Sequence, residues 1–342
     1  MSNFFDKLKT ITAKLFGSKS SNQKSSPSLI QLPKNLKSVS FKKYDDFKQF
    51  SYSAPYQYKS FYIAKRNGKG NRLIAQPTAD LKEIQLNVLK QIEAKLPIHE
   101  TAYAYIKNRS IKDHALLHSD SNHILKLDFK NFFNSIRPAL FKAQIEKLGL
   151  QFSDADLELM SFIFFWREKQ NAPLKLSVGA PSSPTISNFV MYHFDVRMKQ
   201  LCEQHACIYS RYADDITISS KFKFYDLHFP ELIENLLKDE FQGKIKLNSL
   251  KTKYLTSAHR RYVTGVTIAN DGQITLGSKQ KRLLSSKIHH FKIKRLVDEK
   301  EILSLKGQLS FAFYIYPELK HQFMRKYGEN TLAALLKYQP NS

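Results

Sequence analysis

Asp214 and Asp215 are adjacent carboxylates in the segment CIYSRYADDITISS, residues 207–220. Ile208 and Tyr209 precede them and Ile216 and Ile218 follow, which reads as two short strands meeting at a tight acidic turn. Two like charges side by side repel each other, and on an open surface water screens them. Between apolar strands the pair is expected to be partly buried and to need a counter-charge. Magnesium supplies one, because it is a hard cation that takes carboxylate oxygens. A third carboxylate is wanted from elsewhere, and Asp128 is the candidate: it ends the apolar run of Ile124, Leu125 and Leu127, and Phe129, Phe132 and Phe133 follow it. Three such carboxylates can hold two metal ions about 4 Å apart, one activating a 3′-hydroxyl and the other steadying a leaving pyrophosphate. An isolated Asp-Asp pair reads better as a solvated turn, so the assignment rests on its neighbours.

The elements that must carry these residues can be read from periodicity. Phe61–Ala64 and Arg72–Ala75 are expected strands around a Gly-rich turn, with Asn67-Gly68 and Gly70-Asn71 as hairpin signals. A helix is expected over 80–96, with Leu81, Ile84, Leu86, Val88, Leu89 and Ile92 as its apolar positions. A buried strand should end near Asp128, and residues 138–170 should be largely helical. Pro181 and Pro184 mark a turn before a helix over 187–205, and 230–241 is another helix. RYVTGVTI and QITL read as strands around Asn270-Asp271-Gly272, and 278–335 as basic helices. Residues 1–17 have the spacing of a short amphipathic helix, with self-docking the simplest destination, and 18–28 read as a Ser/Lys-rich linker.

Composition narrows the partners. The chain has 342 residues, 42% hydrophobic, which excludes a mostly disordered protein. Lys and Arg number 54 against 30 Asp and Glu, a formal charge of +24. Such an excess repels itself in the folded state, and bound polyanion relieves it, so nucleic acid is the first candidate partner; the plainer readings are a basic protein kept soluble by its charge or one that binds anionic membrane. Cys202 and Cys207 form neither a zinc pattern nor a disulfide framework and fit a reducing cytoplasm. No apolar run approaches the ~20 residues of a membrane span, and no signal-peptide core is seen.

Taken together, Asp128-Phe129-x-x-Phe132-Phe133, Gly179-Ala180-Pro181-Ser182-Ser183-Pro184 and Tyr212-Ala213-Asp214-Asp215 resemble the reverse transcriptase family in order and spacing, over about residues 57–320. The resemblance implies an α+β fold: a right-hand polymerase with fingers, a ferredoxin-like palm and a helical thumb. It implies an extension over 1–30, fingers and palm over 31–270 and an RNA-binding thumb over 271–342. It further implies two magnesium ions on Asp128, Asp214 and Asp215, and deoxynucleoside triphosphates as substrates. Phe133 would then lie under the sugar of the incoming nucleotide and exclude a 2′-hydroxyl, with Phe132 a core residue. Lys65, Arg66 and Arg72 would contact the triphosphate, where cations neutralise developing charge. Gly179, Ala180 and Pro181 would let the backbone approach the template–nucleotide pair. Val178 stands where the family has Gln, which removes a side-chain hydrogen bond and leaves the backbone role; Asn188 matches a frequent family Asn. Lys251 is similar to a lysine near the leaving pyrophosphate, able to act as general acid.

Two further motifs point within the family to retron reverse transcriptases. Val263-Thr264-Gly265 matches one retron hallmark in full. His114-Ala115-Leu116-Leu117-His118 matches the Asn-Ala-x-x-His hallmark in part, with His114 in place of Asn. The two histidines lack the Glu and third ligand of a zinc site, so satisfied core or RNA-contacting roles are expected. Retron resemblance implies a cognate structured noncoding RNA, priming from a guanosine 2′-hydroxyl, a single-stranded DNA product joined to RNA, and a separate effector chain in antiphage defence. His114, His118, Val263, Thr264, Gly265, Lys281, Arg282 and Lys287 would be RNA-binding, the last three on a basic helix with Leu283, Leu284 and Ile288 inward. The alternatives are an abortive-infection or group II intron-like reverse transcriptase, or a catalytically idle RNA-binding protein of this fold.

Overall fold

The computed structural model describes residues 28–340 apart from 35, 38, 66, 67 and 69. The helix expected over 1–17, most of the linker after it, and Arg66 lie outside the described residues. The chain divides into two compact units. The first takes Met1–Tyr105, Asp128–Met198 and Phe229–Asn248; the second takes Ile106–Leu127, Lys199–His228 and Ser249–Ser342. Each unit therefore draws on three stretches of chain.

In the first unit, strands β1 (Tyr58–Ala64) and β2 (Asn71–Pro77) form an antiparallel hairpin with Ile63 opposite Arg72. Helix α1 is Tyr44–Ser53 and α2 is Ala79–Ile92. Thr78 caps α2 by accepting from the Leu81 amide. Leu81, Ile84, Val88, Leu89 and Ile92 are buried, whereas Leu86 falls off that stripe and is exposed. Helix α3 (Ile111–Leu117) belongs to the second unit; the short α4 (Phe132–Ser135), then α5 (Pro138–Lys147) and α6 (Asp154–Ile163), return to the first. The helix expected over 138–170 is thus broken. Gly149, at φ +62°, ends α5 with Leu150 N–H on the Ile145 carbonyl and Gly149 N–H on that of Glu146, a Schellman stop. Helices α7 (Ser183–Val190), α8 (Tyr192–Gln204), whose residues from Lys199 on fall in the second unit, and α9 (Phe229–Phe241) follow. Two polar devices hold this unit together. Asp156, fully buried, accepts from Ser28 Oγ at 2.6 Å and from the Leu29 and Ile30 amides. Glu240 meets Lys147 at 2.7 Å and Arg197 at 2.8 Å. Burial alone would raise the Glu240 carboxyl, but the two cations outweigh it and hold the group below its usual range.

The second unit contains a four-stranded sheet of order β4-β5-β3-β6. Its strands are β3 (His123–Asp128), β4 (Ile208–Tyr212), β5 (Asp215–Ser220) and β6 (Lys253–Thr256). A three-stranded sheet, β7 (Arg261–Val263), β8 (Val266–Ile268) and β9 (Ile274–Thr275), lies in one apolar cluster with helices α10 (Ser278–Lys292), α11 (Glu299–Ile315), α12 (Glu318–Tyr327) and α13 (Glu329–Lys337). On α10 Leu284 and Ile288 are fully buried at helical spacing, while Leu283, one step round the helix, is 47% exposed and not part of the inner face. Among the described residues no helix is long and apolar enough to cross a membrane.

Candidate active site

β4 and β5 form the expected acidic hairpin. Tyr212 pairs with Asp215, so Ala213 and Asp214 are the whole loop. Ala213 has φ +55°, a left-handed conformation that costs a residue with a Cβ on the order of 1–2 kcal/mol. Arg211 offsets part of that cost: its side chain is fully buried and Nη1 donates to the Ala213 carbonyl at 3.1 Å. The motif reading of the sequence missed this arginine. Asp214 and Asp215 are half-buried, as two carboxylates between apolar strands should be.

Directly opposite residues of an antiparallel pair share a face. Ser210 pairs with Thr217 and Ile208 with Ser219, so Ser210, Tyr212, Asp215 and Ser219 lie on one face of the hairpin. β5 neighbours β3 in the sheet. Ser121 Oγ donates to Ser219 Oγ at 2.8 Å and Asn122 Nδ2 to the Lys221 carbonyl at 3.3 Å, so the chain enters β3 beside the end of β5. The two strands therefore run antiparallel, with the last residue of β3, Asp128, at the sheet end where β5 begins with Asp215. Asp128 is 6% exposed, and its carbonyl accepts from the Asn248 amide at 2.7 Å. Among the described residues no three His, Cys, Asp or Glu side chains converge as a metal-ligand set. The donors themselves suit a hard divalent cation, being carboxylates only.

Phe132 is 3% exposed and stacked on Phe129 at 5.2 Å, a core residue as expected. Phe133 is half-buried, edge-on to Phe132 at 5.4 Å and to Tyr105 at 6.5 Å. Tyr105 is a residue that motif reading overlooks: 56% exposed, at φ +64°. The buried Asn188 explains how that strained position is held, since its Nδ2 donates to the Ala104 carbonyl at 2.9 Å.

Lys65 and Arg72 are both exposed on the β1–β2 hairpin, and Lys65 N–H closes its loop on the Gly70 carbonyl at 3.0 Å. Gly179 has a different reason for being glycine from the one expected. Its φ is +129°, and an added Cβ would lie 2.9 Å from the Ala75 carbonyl of β2. The close approach is to the protein's own strand. Val178 continues it, its carbonyl accepting from the Ala75 amide at 2.9 Å. Ala180 is buried with its N–H on Ser177 Oγ at 3.1 Å, and Pro181 is half-buried. Gly179→Ala is expected to cost roughly 1–3 kcal/mol, because a left-handed Gly-only conformation and a backbone clash coincide. The thermal midpoint should fall, and KM for the nucleotide should rise as β2 and its Arg72 shift.

The residues assigned to RNA by resemblance divide. His114, His118 and Val263 are fully buried and have no surface to offer a nucleic acid. The histidines are satisfied core residues. His114 Nε2 and His118 Nε2 both lie 2.6 Å from Ser210 Oγ, and His118 Nδ1 lies 2.7 Å from Ser219 Oγ. Burial pushes the His114 imidazole down to about 3, and burial lowers His118 as well, so both are neutral near pH 7. Thr264 is half-buried and Gly265 exposed. They form the two-residue loop between β7 and β8, with φ +46° and +87°, the pattern of a type I′ turn. Lys281 is half-buried with Nζ 4.5 Å from the Tyr316 ring; Arg282 is exposed and Lys287 half-buried. Lys251 is exposed in a 3-10 turn, Ser249–Lys251. Sequence reading also missed Tyr262, whose ring lies 4.6 Å from Lys126 Nζ and 5.9 Å from both Lys253 Nζ and the Arg260 guanidinium carbon. Cations gathered on one half-buried ring leave a locally positive surface suited to phosphate.

Residues 63–268, more than half of the chain, match the family model described as reverse transcriptase (RNA-dependent DNA polymerase). With its mixture of helices and small antiparallel sheets, the molecule is a template-directed polymerase of the α+β right-hand class. The retron Ec83 reverse transcriptase of Escherichia coli is 37% identical over 300 residues, covering 87% of this chain and 96% of that protein. The retron Ec73 enzyme of the same organism is 31% identical over 284 residues, covering 79% and 86%. Apo telomerase from Candida tropicalis is a looser likeness among solved structures, at 10% identity and a TM-score of 0.46, covering 97% of this chain and 66% of that one. The chain belongs to the retron reverse transcriptases, and it is an RNA-directed DNA polymerase.

Proposed function

We propose that Asp128, Asp214 and Asp215 hold two magnesium ions and form the polymerising centre of this enzyme. The observation that carries the proposal is the antiparallel neighbouring of β3 and β5, with Asp128 last in one and Asp215 first in the other. When bound, the ions activate the priming hydroxyl and neutralise the leaving pyrophosphate. Arg211 holds the turn that presents Asp214. Phe133, buttressed by Phe132 and Tyr105, excludes a 2′-hydroxyl from the sugar site. Lys65 and Arg72 bind the triphosphate of the incoming deoxynucleotide, and Lys251 protonates the leaving pyrophosphate. The exposed backbone at Gly179, with Ala180 and Pro181 behind it, borders the nucleotide site. Gly265, Arg282, Lys287 and the cations around Tyr262 contact RNA phosphates.

The extension over 1–30, fingers and palm over 31–270 and thumb over 271–342 remain the functional division of the chain. The template is a structured noncoding RNA, primed from one of its own guanosine 2′-hydroxyls in the bacterial cytoplasm. The product is single-stranded DNA joined to RNA, and a separate effector chain acts with it in antiphage defence. The +24 charge supports a large polyanionic partner. The test is to purify the protein from its host and sequence the nucleic acid that accompanies it. A short DNA attached to RNA through a debranching-sensitive linkage is expected; free complementary DNA alone would contradict 2′-hydroxyl priming.

A further inference from the structure

We infer that His114 and His118, together with Thr264, are positioning residues for the acidic hairpin, and that they serve polymerisation itself and not RNA recognition. The inference rests on the reading of Asp214 and Asp215 as the catalytic carboxylates. The two histidines are four apart on α3 and its C-cap, so they present one face. That face meets the hairpin face that carries Asp215. Ser210 Oγ lies between the two Nε2 atoms, 2.6 Å from each. The His114 ring stacks on Tyr212 at 5.6 Å and 23°. His118 also reaches Ser219 at 2.7 Å, so a single imidazole ties β4 to β5 just behind the loop.

The geometry is specific to histidine. Two neutral imidazoles each offer one donor and one acceptor, and one sense of donation satisfies the run from Thr264 Oγ1 through His114 and Ser210 to His118 and Ser219. Thr264 closes the run at the far end, with Oγ1 3.4 Å from His114 Nδ1. A β-branched residue at φ +46° is costly where glycine or asparagine would sit without strain. Its hydroxyl contact accounts for a threonine there. The strained Thr264 thus stands at one end of a buried hydrogen-bonded path, and that path's His114 ring packs on Tyr212, the residue before the strained Ala213. Arg261, next to that loop and 2% exposed, bonds to the Ser121 carbonyl and so ties β7 to the entry of β3.

The path fixes the height and tilt of the carboxylates. A displacement of about 1 Å at such a position costs on the order of a hundredfold in rate. The test uses poly(rA)·oligo(dT), a pre-annealed template that bypasses any recognition of a cognate RNA. His118→Ala should lower kcat for dTTP incorporation about ten- to a hundredfold, with KM for dTTP and affinity for RNA within about twofold of wild type. It should also raise the magnesium concentration for half-maximal activity, a readout that loss of folded protein does not move. Thr264→Gly removes the strained hydroxyl without threatening the fold, so its melting temperature should hold or rise while kcat falls severalfold. Wild-type extension on poly(rA)·oligo(dT) by both variants would overturn the inference. So would a loss in His118→Ala that follows the folded fraction alone, with Thr264→Gly inert. Asp214→Asn runs alongside: full extension by that variant would defeat the carboxylate assignment and leave the histidine result to be read by itself.

Discussion

Asp214→Asn is expected to cut DNA synthesis by about a hundred- to a thousandfold while leaving RNA binding and the folded state intact. The substitution keeps the shape of the side chain and removes one negative charge from the hairpin loop. Asp214 is half-buried beside Asp215, so losing that charge relieves repulsion, and the melting temperature should stay level or rise. Activity and stability are thus predicted to move in opposite directions. That is the mark of a group retained for its charge. Primer extension, thermal melting and filter binding to the same RNA on one preparation measure all three quantities.

Phe133→Ala is expected to open the sugar site. The ring is half-buried, with Phe132 on one side and Tyr105 on the other. Removing it leaves space for a 2′-hydroxyl, and discrimination between dTTP and UTP should drop by about a hundredfold, read as the ratio of kcat/KM values on poly(rA)·oligo(dT). The loss should appear as a gain for UTP more than as a fall for dTTP, as expected of a ring that would act by exclusion. Some stability goes with it, about 1–2 kcal/mol for a partly buried aromatic. Tyr105→Ala should relax the same selectivity by a smaller factor, since it frees one side of the ring.

The centre was more legible in the sequence than its supports. Apolar runs ending in Asp128 and flanking Asp214-Asp215 gave both strands and the turn, because alternation and a buried carboxylate pair are local signals. The helix break at Gly149 was also local, a left-handed stop that the surrounding helical pattern hid. Other supports are long-range. Gly179 is glycine because β2 passes within reach of its missing Cβ, and nothing near residue 179 announces that. Asn188 holds the carbonyl of a residue 84 positions away. For His114 and His118 the sequence leaves a satisfied core role and RNA contact both open, because a motif match does not say what a side chain touches. Their partners, Ser210 and Ser219, are ordinary strand residues whose role shows only when the hairpin register is known. Arg211 was passed over for a similar reason: a basic residue in a strand of a chain with 54 Lys and Arg gives no sign of being fully buried.

The measurement that bears most directly on the polymerising centre is single-nucleotide incorporation by Asp128→Asn on a pre-annealed RNA template with a DNA primer. Asp128 is far in sequence from the hairpin and enters the centre only through the β3–β5 arrangement. The expected result is a rate lowered on the order of a hundredfold or more, matching Asp214→Asn, with template binding unchanged. Incorporation at the wild-type rate would mean that Asp128 holds no metal, and that the hairpin carboxylates draw their third ligand from elsewhere.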